Sequence, residues 1–142
     1  MSASHLITYA DVTGTPLHFT QEKVSELIFA LTPDQQRMSE CLALGLQTPQ
    51  EIWRHWERDP HNPDGWVLYR TYIHRWETTE ADGSELAFAT VSRYWWKDRW
   101  ELAYMTVLLG PTYLDFAAAL DEFRYGELLY PDNATPELRA TT

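Results

Sequence analysis

The stretch Trp66-Val67-Leu68-Tyr69-Arg70-Thr71-Tyr72-Ile73-His74-Arg75-Trp76 decides how this chain is read. It is dense in aromatic and β-branched residues and has no Gly or Pro, which is the composition of a strand. Side chains on a strand alternate between two faces. Arg70, Tyr72 and His74 therefore share one face with Leu68, Trp66 and Trp76 around them, and Val67, Tyr69, Thr71 and Ile73 share the other. The second set suits a helix-packed side, which leaves the Arg-Tyr-His face for solvent.

Downstream, Glu85 to Trp96 and Arg99 to Leu109 have the same character. They are set off by Glu80-Ala81-Asp82-Gly83-Ser84 and by the short Lys97-Asp98 turn. Short connections between such segments make an antiparallel meander. Gly110-Pro111 ends the third strand, a helical segment with Leu114, Ala117 and Ala118 follows, and Glu127 to Tyr130 forms a fourth strand. Residues 131–142 lack an apolar period and read as a tail.

Upstream the pattern is helical. Residues 1–19 are extended, with a Gly- and Pro-marked turn from Asp11 to Leu17. A helix starts near Thr20 with Val24, Leu27, Ile28 and Leu31 at helical spacing. Thr32-Pro33-Asp34-Gln35 caps a second helix that turns Met38, Cys41, Leu42 and Leu46 inward. Thr48-Pro49-Gln50-Glu51 has the same capping chemistry and predicts a helical turn aiming Trp53 at the core. The polar residues 58–65 form a loop. The expected fold is α+β: N-terminal helices on a four-stranded antiparallel sheet, one domain over residues 1–130.

Composition limits the function. At 142 residues and 44% hydrophobic the chain can bury a core, and its net charge of −10 excludes a basic nucleic-acid-binding domain. All seven Trp lie between Trp53 and Trp100. Segment 51–100 holds seven of the eleven basic residues against nine acids, a net of −2 that leaves room for a local basic patch. The lone Cys41 excludes an internal disulfide and reads as a buried hydrophobe. No charged start followed by an apolar run opens the chain, and no stretch is long enough to span a membrane, so the expectation is a protein that is not secreted through a signal peptide. His55 and His61 lie near acids but lack metal-ligand spacing, and the glycines form no phosphate loop; neither metal nor cofactor is expected.

Arg70, Tyr72 and His74 in one row suit metal-independent RNA cleavage. That reaction removes a proton from a 2′-hydroxyl, gives one to the 5′-oxygen and stabilises a charged phosphorane. His moves protons near neutral pH and Arg grips phosphate in a fork. Glu51 is an alternative base. Thr90, Ser92, Tyr94, Tyr104 and Thr106 add hydroxyls on the neighbouring strands, although a half-solvated sheet carries such residues without any catalytic purpose.

Four segments resemble one known family. Pro49-Gln50-Glu51-Ile52-Trp53 resembles the Pro-x-Glu-Ile-Trp element of the second phage family of Barnase–EndoU–colicin–RelE-like nucleases. Arg70-Thr71-Tyr72-Ile73 is similar to its basic Arg-x-Tyr-Ile/Leu strand, and Arg124-Tyr125-Gly126-Glu127-Leu128-Leu129-Tyr130 to its closing strand. Asp11 to Leu17 looks like its opening Asp-Val-x-Gly-x-Pro-Leu. The third strand departs from the pattern: Trp100 is followed by Glu101-Leu102-Ala103-Tyr104-Met105-Thr106 rather than by Thr-Ala-Phe.

The resemblance implies a nuclease-like domain of phages or prophages, often joined to Mu-like head-morphogenesis (minor capsid) proteins. Under it, His74, Arg70 and Tyr72 are the catalytic candidates, and Arg75, Thr106 and Arg124 the substrate-binding ones. The implied partners are RNA, or phage head, portal or capsid proteins, in the host cytoplasm or the virion. The alternatives are a non-catalytic head-assembly module that keeps the fold for protein contacts, and a toxin- or antitoxin-like regulator.

Overall fold

A computed structural model describes residues 6–38 and 46–131. The central stretch lies within the longest strand, β4 (Asn62–Thr79), which pairs antiparallel with β3 (Glu51–Asp59) on one side and β5 (Glu85–Trp96) on the other. β5 pairs with β6 (Trp100–Gly110), completing the expected meander. Asp98 takes a left-handed φ of 66° at the β5–β6 turn, a conformation that Asp tolerates better than most residues.

Among the described residues the sheet has seven strands rather than four. A hairpin of β1 (Leu6–Ala10) and β2 (Pro16–Thr20) docks through a parallel β2–β6 ladder, Leu17 opposite Trp100 and His18 opposite Glu101. β7 (Glu127–Tyr130) adds antiparallel to β3, so the order is β1-β2-β6-β5-β4-β3-β7. β3 also replaces the helical turn expected after Thr48. Local capping chemistry loses there to pairing of β3 along its length with the first part of β4, from Asn62 to Ile73, with Ile52 fully buried. The expected loop at 58–65 is instead mostly strand, with Asp59 paired to Asn62 around a tight turn.

The α+β class holds, with few helices. α1 (Gln21–Phe29) is capped by the Thr20 hydroxyl, which accepts Lys23 N–H at 3.0 Å. α2 (Pro33–Met38) opens on the expected reciprocal bonds between Thr32 and Gln35, and the Gln35 amide ties it to the Val107 carbonyl at 2.7 Å. The Cys41 and Leu42 positions and the tail after Pro131 lie outside the described residues. After β6, a 3-10 turn (Tyr113–Asp115) leads into α3 (Ala117–Asp121). Among the described residues no helix is long and apolar enough to cross a membrane.

These elements cover both faces of the sheet, which corrects the expected solvated Arg-Tyr-His face. Tyr72 joins Leu17, Ile52, Tyr94, Leu102 and Met105 in one buried cluster, with Val24, Leu27 and Ile28 of α1 packed on it. Ile73, Val91, Ala87 and Ala89 form a second cluster on the opposite face, beneath Phe116 and Leu120. Burial of each large apolar side chain stabilises the fold by roughly 1.5–3 kcal/mol. β4 is thus buried on both sides from Arg70 to Ile73.

Candidate functional site

Arg70 and Tyr72 come together as expected, but inside the protein. The Asp11 side chain is 0% exposed and that of Arg70 only 10%. Arg70 Nη2 donates to Asp11 Oδ2 at 3.2 Å, and to the Thr13 and Thr15 hydroxyls at 3.1 and 3.2 Å. Its Nε donates to the Tyr72 hydroxyl at 2.8 Å, and that hydroxyl donates in turn to Asp11. Asp11 Oδ1 accepts Thr13 N–H at 2.8 Å and Thr15 N–H at 3.0 Å, closing the β1–β2 turn in which Gly14 takes φ 86°. Burial pushes the Asp11 carboxyl up, but the hydrogen bonds from Tyr72, Thr13 and the Thr15 amide outweigh it and hold it below its usual range. Burial drives the Tyr72 hydroxyl far above its ordinary pKa. The opening motif and the basic strand therefore meet as one buried clamp fastening the hairpin to the sheet.

His74 is half-buried on the same face, stacked on Trp76 at 4.0 Å and bonded through Nδ1 to the Thr48 carbonyl. Burial lowers its pKa, more than the Thr48 bond raises it. Arg124 is locked as well. Its Nε and Nη2 donate to the two oxygens of Glu51 at 2.8 Å each, and Nη1 reaches the Tyr113 hydroxyl at 2.9 Å and Asp121 at 2.7 Å. Trp53 Nε1 adds a third bond to Glu51, at 2.9 Å. The Pro-x-Glu-Ile-Trp element and the closing element thus hold one another. Arg75 is exposed on the opposite face from His74, its guanidinium 4.5 Å over the Tyr113 ring in a cleft of about 270 Å³. Thr106 is buried on that same face, opposite Val91.

A second constellation escaped the sequence reading. The cross-strand pairs His55–Tyr69, Tyr69–Trp95 and Thr71–Arg93 place these residues side by side on the face opposite Arg70. Glu57 extends the row along β3, and Tyr125 closes over it just before β7. Tyr125 hydroxyl donates to Glu57 at 2.5 Å, Arg93 Nη2 donates to that hydroxyl at 3.2 Å, and Arg93 Nη2 lies 3.3 Å from His55 Nε2. Glu57 lies 3.4 Å from the same His55 nitrogen. The imidazole is sandwiched by Tyr69 at 5.3 Å and Tyr125 at 4.1 Å. A register shift between Arg93 and Tyr94 interrupts the β5–β6 ladder here, and bulges of this kind re-aim side chains.

Two features distinguish this patch. The buried side-chain polar atoms without a partner among the described residues are His55 Nδ1, Thr71 Oγ1 and Arg93 Nε, and all three belong to it. Such atoms cost stability, so three in one patch call for an explanation. Its titratable groups are also shifted from their ordinary values. Burial, then the Arg93 charge, lowers the His55 pKa, more than Glu57 raises it. Burial pushes Glu57 up, but Tyr125, Arg93 and His55 together hold it below the usual carboxylate range. Burial and the bond to Glu57 raise Tyr125. The Glu57 side chain is 37% exposed and that of His55 2%, so Glu57 forms an open lip over a buried base plate. The signal lay in His55-Trp56-Glu57, which puts two titratable groups on one face once a strand is assigned there. Among the described residues no group of His, Cys, Asp and Glu is arranged to hold a metal ion.

The family model for phage-Barnase-EndoU-ColicinE5/D-RelE like nuclease2 matches residues 4–131, nearly the whole chain. No curated protein and no solved structure matches it.

Proposed function

From the premise that the chain belongs to this phage nuclease-like family, we propose that it is a metal-independent endoribonuclease whose chemistry is carried by Glu57, Tyr125 and Arg93. The observation that carries this is the convergence of a carboxylate, a hydroxyl and a guanidinium within hydrogen-bond reach, above the three unpartnered buried polar atoms. Glu57, ionised across the neutral range, takes the proton of the 2′-hydroxyl as that oxygen attacks the phosphate. Arg93 donates to the phosphorane oxygens as negative charge develops on them. Tyr125 gives its proton to the departing 5′-oxygen, with Arg93 beside the phenolate. The 2.5 Å bond then returns the proton from Glu57 to Tyr125, so both groups end as they began. His55 is a positioning residue beneath them.

This assignment moves the chemistry away from Arg70, Tyr72 and His74. Arg70 and Tyr72 direct their polar atoms at Asp11 rather than at solvent. The products are a 2′,3′-cyclic phosphate and a 5′-hydroxyl. Single-stranded RNA incubated with the purified protein in EDTA should yield these ends; full-length RNA after prolonged incubation would overturn the assignment.

The alternative role in phage head assembly draws support from the net charge of −10 and from the buried clamps that occupy Arg70 and Arg124. Its mark would be stable capture of a head, portal or capsid protein by chain that leaves RNA intact.

A further inference from the structure

We propose that the exposed indoles of Trp56 and Trp66, together with Arg58, are a stacking platform for unpaired bases of single-stranded RNA whose scissile phosphate lies at Glu57. This deepens the nuclease assignment above and rests on it. Trp56 is 61% exposed and Trp66 57%, unusual for the largest side chain in a chain of this size. The β3–β4 register sets Trp56 opposite Leu68 and Arg58 opposite Trp66, so both indoles and the guanidinium rise from one face near the hairpin tip. Arg58 is held in place. Its Nη1 donates to the Pro63 carbonyl at 2.7 Å, and its guanidinium lies 4.6 Å over the Trp66 ring.

The platform adjoins the proposed site through the sheet edge. Trp56 and Arg58 alternate along β3 with His55 and Glu57, which point to the other face. The β3–β7 ladder ends at Arg54, so beyond it β7 does not cover the outer side of β3. A single strand bending round this edge brings a phosphate to Glu57 and its next bases to the indoles.

Charge decides between this occupant and a strand gripped by its phosphates. With a net charge of −10, and −2 over segment 51–100, the protein is poorly suited to gathering RNA by releasing counterions from a basic groove. Stacking on aromatic rings needs no net charge and tolerates any base, provided the base is unpaired. RNA should therefore bind with a shallow salt dependence.

The probe is a fluorescent oligouridylate methylated at every 2′-oxygen, which can bind but cannot cyclise. Trp56→Ala and Trp66→Ala remove exposed rings and leave the buried clusters intact. Each should weaken binding of the oligonucleotide about tenfold. Unchanged oligonucleotide affinity in both variants overturns the platform, as does equal wild-type affinity for duplex RNA. Loss of a head-protein contact in these variants with RNA affinity intact would also overturn it and assign the surface to a protein partner. Wild-type binding that depends on the indoles, without any cleavage, would keep the platform and remove the nuclease assignment. Cleavage with indole-independent binding would do the reverse.

Discussion

Replacing Asp11 with Ala should destabilise the protein more than any change at the proposed reacting groups. The substitution removes the carboxylate that accepts from Arg70, Tyr72, Thr13 and the Thr15 amide. It leaves Arg70, 10% exposed, with only hydroxyls around a full charge. Breaking a buried pair from one side costs about 3–5 kcal/mol, because the remaining charge stays desolvated. That is a large part of the ~5–15 kcal/mol that holds a typical domain folded, and it should lower Tm by on the order of 10 °C. Urea unfolding followed by Trp fluorescence gives the loss directly. Arg70→Met in the Asp11→Leu background removes both charges and should recover much of it, whereas two independent losses would add. An Asp11→Ala cost below about 1 kcal/mol would refute the clamp and return Arg70 to the pool of groups available to substrate.

Three further outcomes follow from the geometry. Gly126→Ala places a Cβ 2.2 Å from the Arg54 carbonyl at φ 95°, so it should cost about 2 kcal/mol or more and abolish RNA cleavage by displacing Tyr125; wild-type stability and activity would contradict the packing. A double-mutant cycle on Glu51 and Arg124 should return a coupling of roughly 1–3 kcal/mol, since the two-point contact is about four-fifths buried; zero coupling would show the pair to be ornamental. Asp11, Glu57, His55 and His74 all have pKa values lowered by folding. The unfolded chain therefore takes up protons first, and stability must fall on acidification, below about pH 6.5 for the histidines and below about pH 4 for the carboxylates. A urea midpoint that rises between pH 8 and pH 5 would reverse the sign.

Much of the fold was legible because the meander carries its own punctuation. Glu85–Trp96 and Glu127–Tyr130 match the strand bounds to the residue, a helix does start beside Thr20, and the Thr32 cap marks a real helix start. β1 and β2 were harder to see: each is five residues long, and β2 joins the sheet by a parallel ladder to a strand eighty residues later. β3 is hidden in the sequence because Thr48-Pro49-Gln50-Glu51 has the local chemistry of a helix start, while the pairing partner that overrules it lies further along the chain. The same signal hides the site, since His55 and Glu57 share a face only on a strand. The row Arg70, Tyr72, His74 was correctly grouped, but alternation cannot say which face another element will cover. Asp11, far away in sequence, is what makes burial of Arg70 tolerable.

The location of the chemistry is tested most directly by comparing Glu57→Gln with His74→Ala in one RNA-cleavage assay in EDTA, with unfolding curves to confirm that both variants fold. Glu57→Gln keeps an acceptor for Tyr125 but no base, and should lose roughly a hundredfold or more in rate, while His74→Ala should cleave like the wild type. Full activity in Glu57→Gln, or its loss only in His74→Ala, would place the reaction on the opposite face of the sheet.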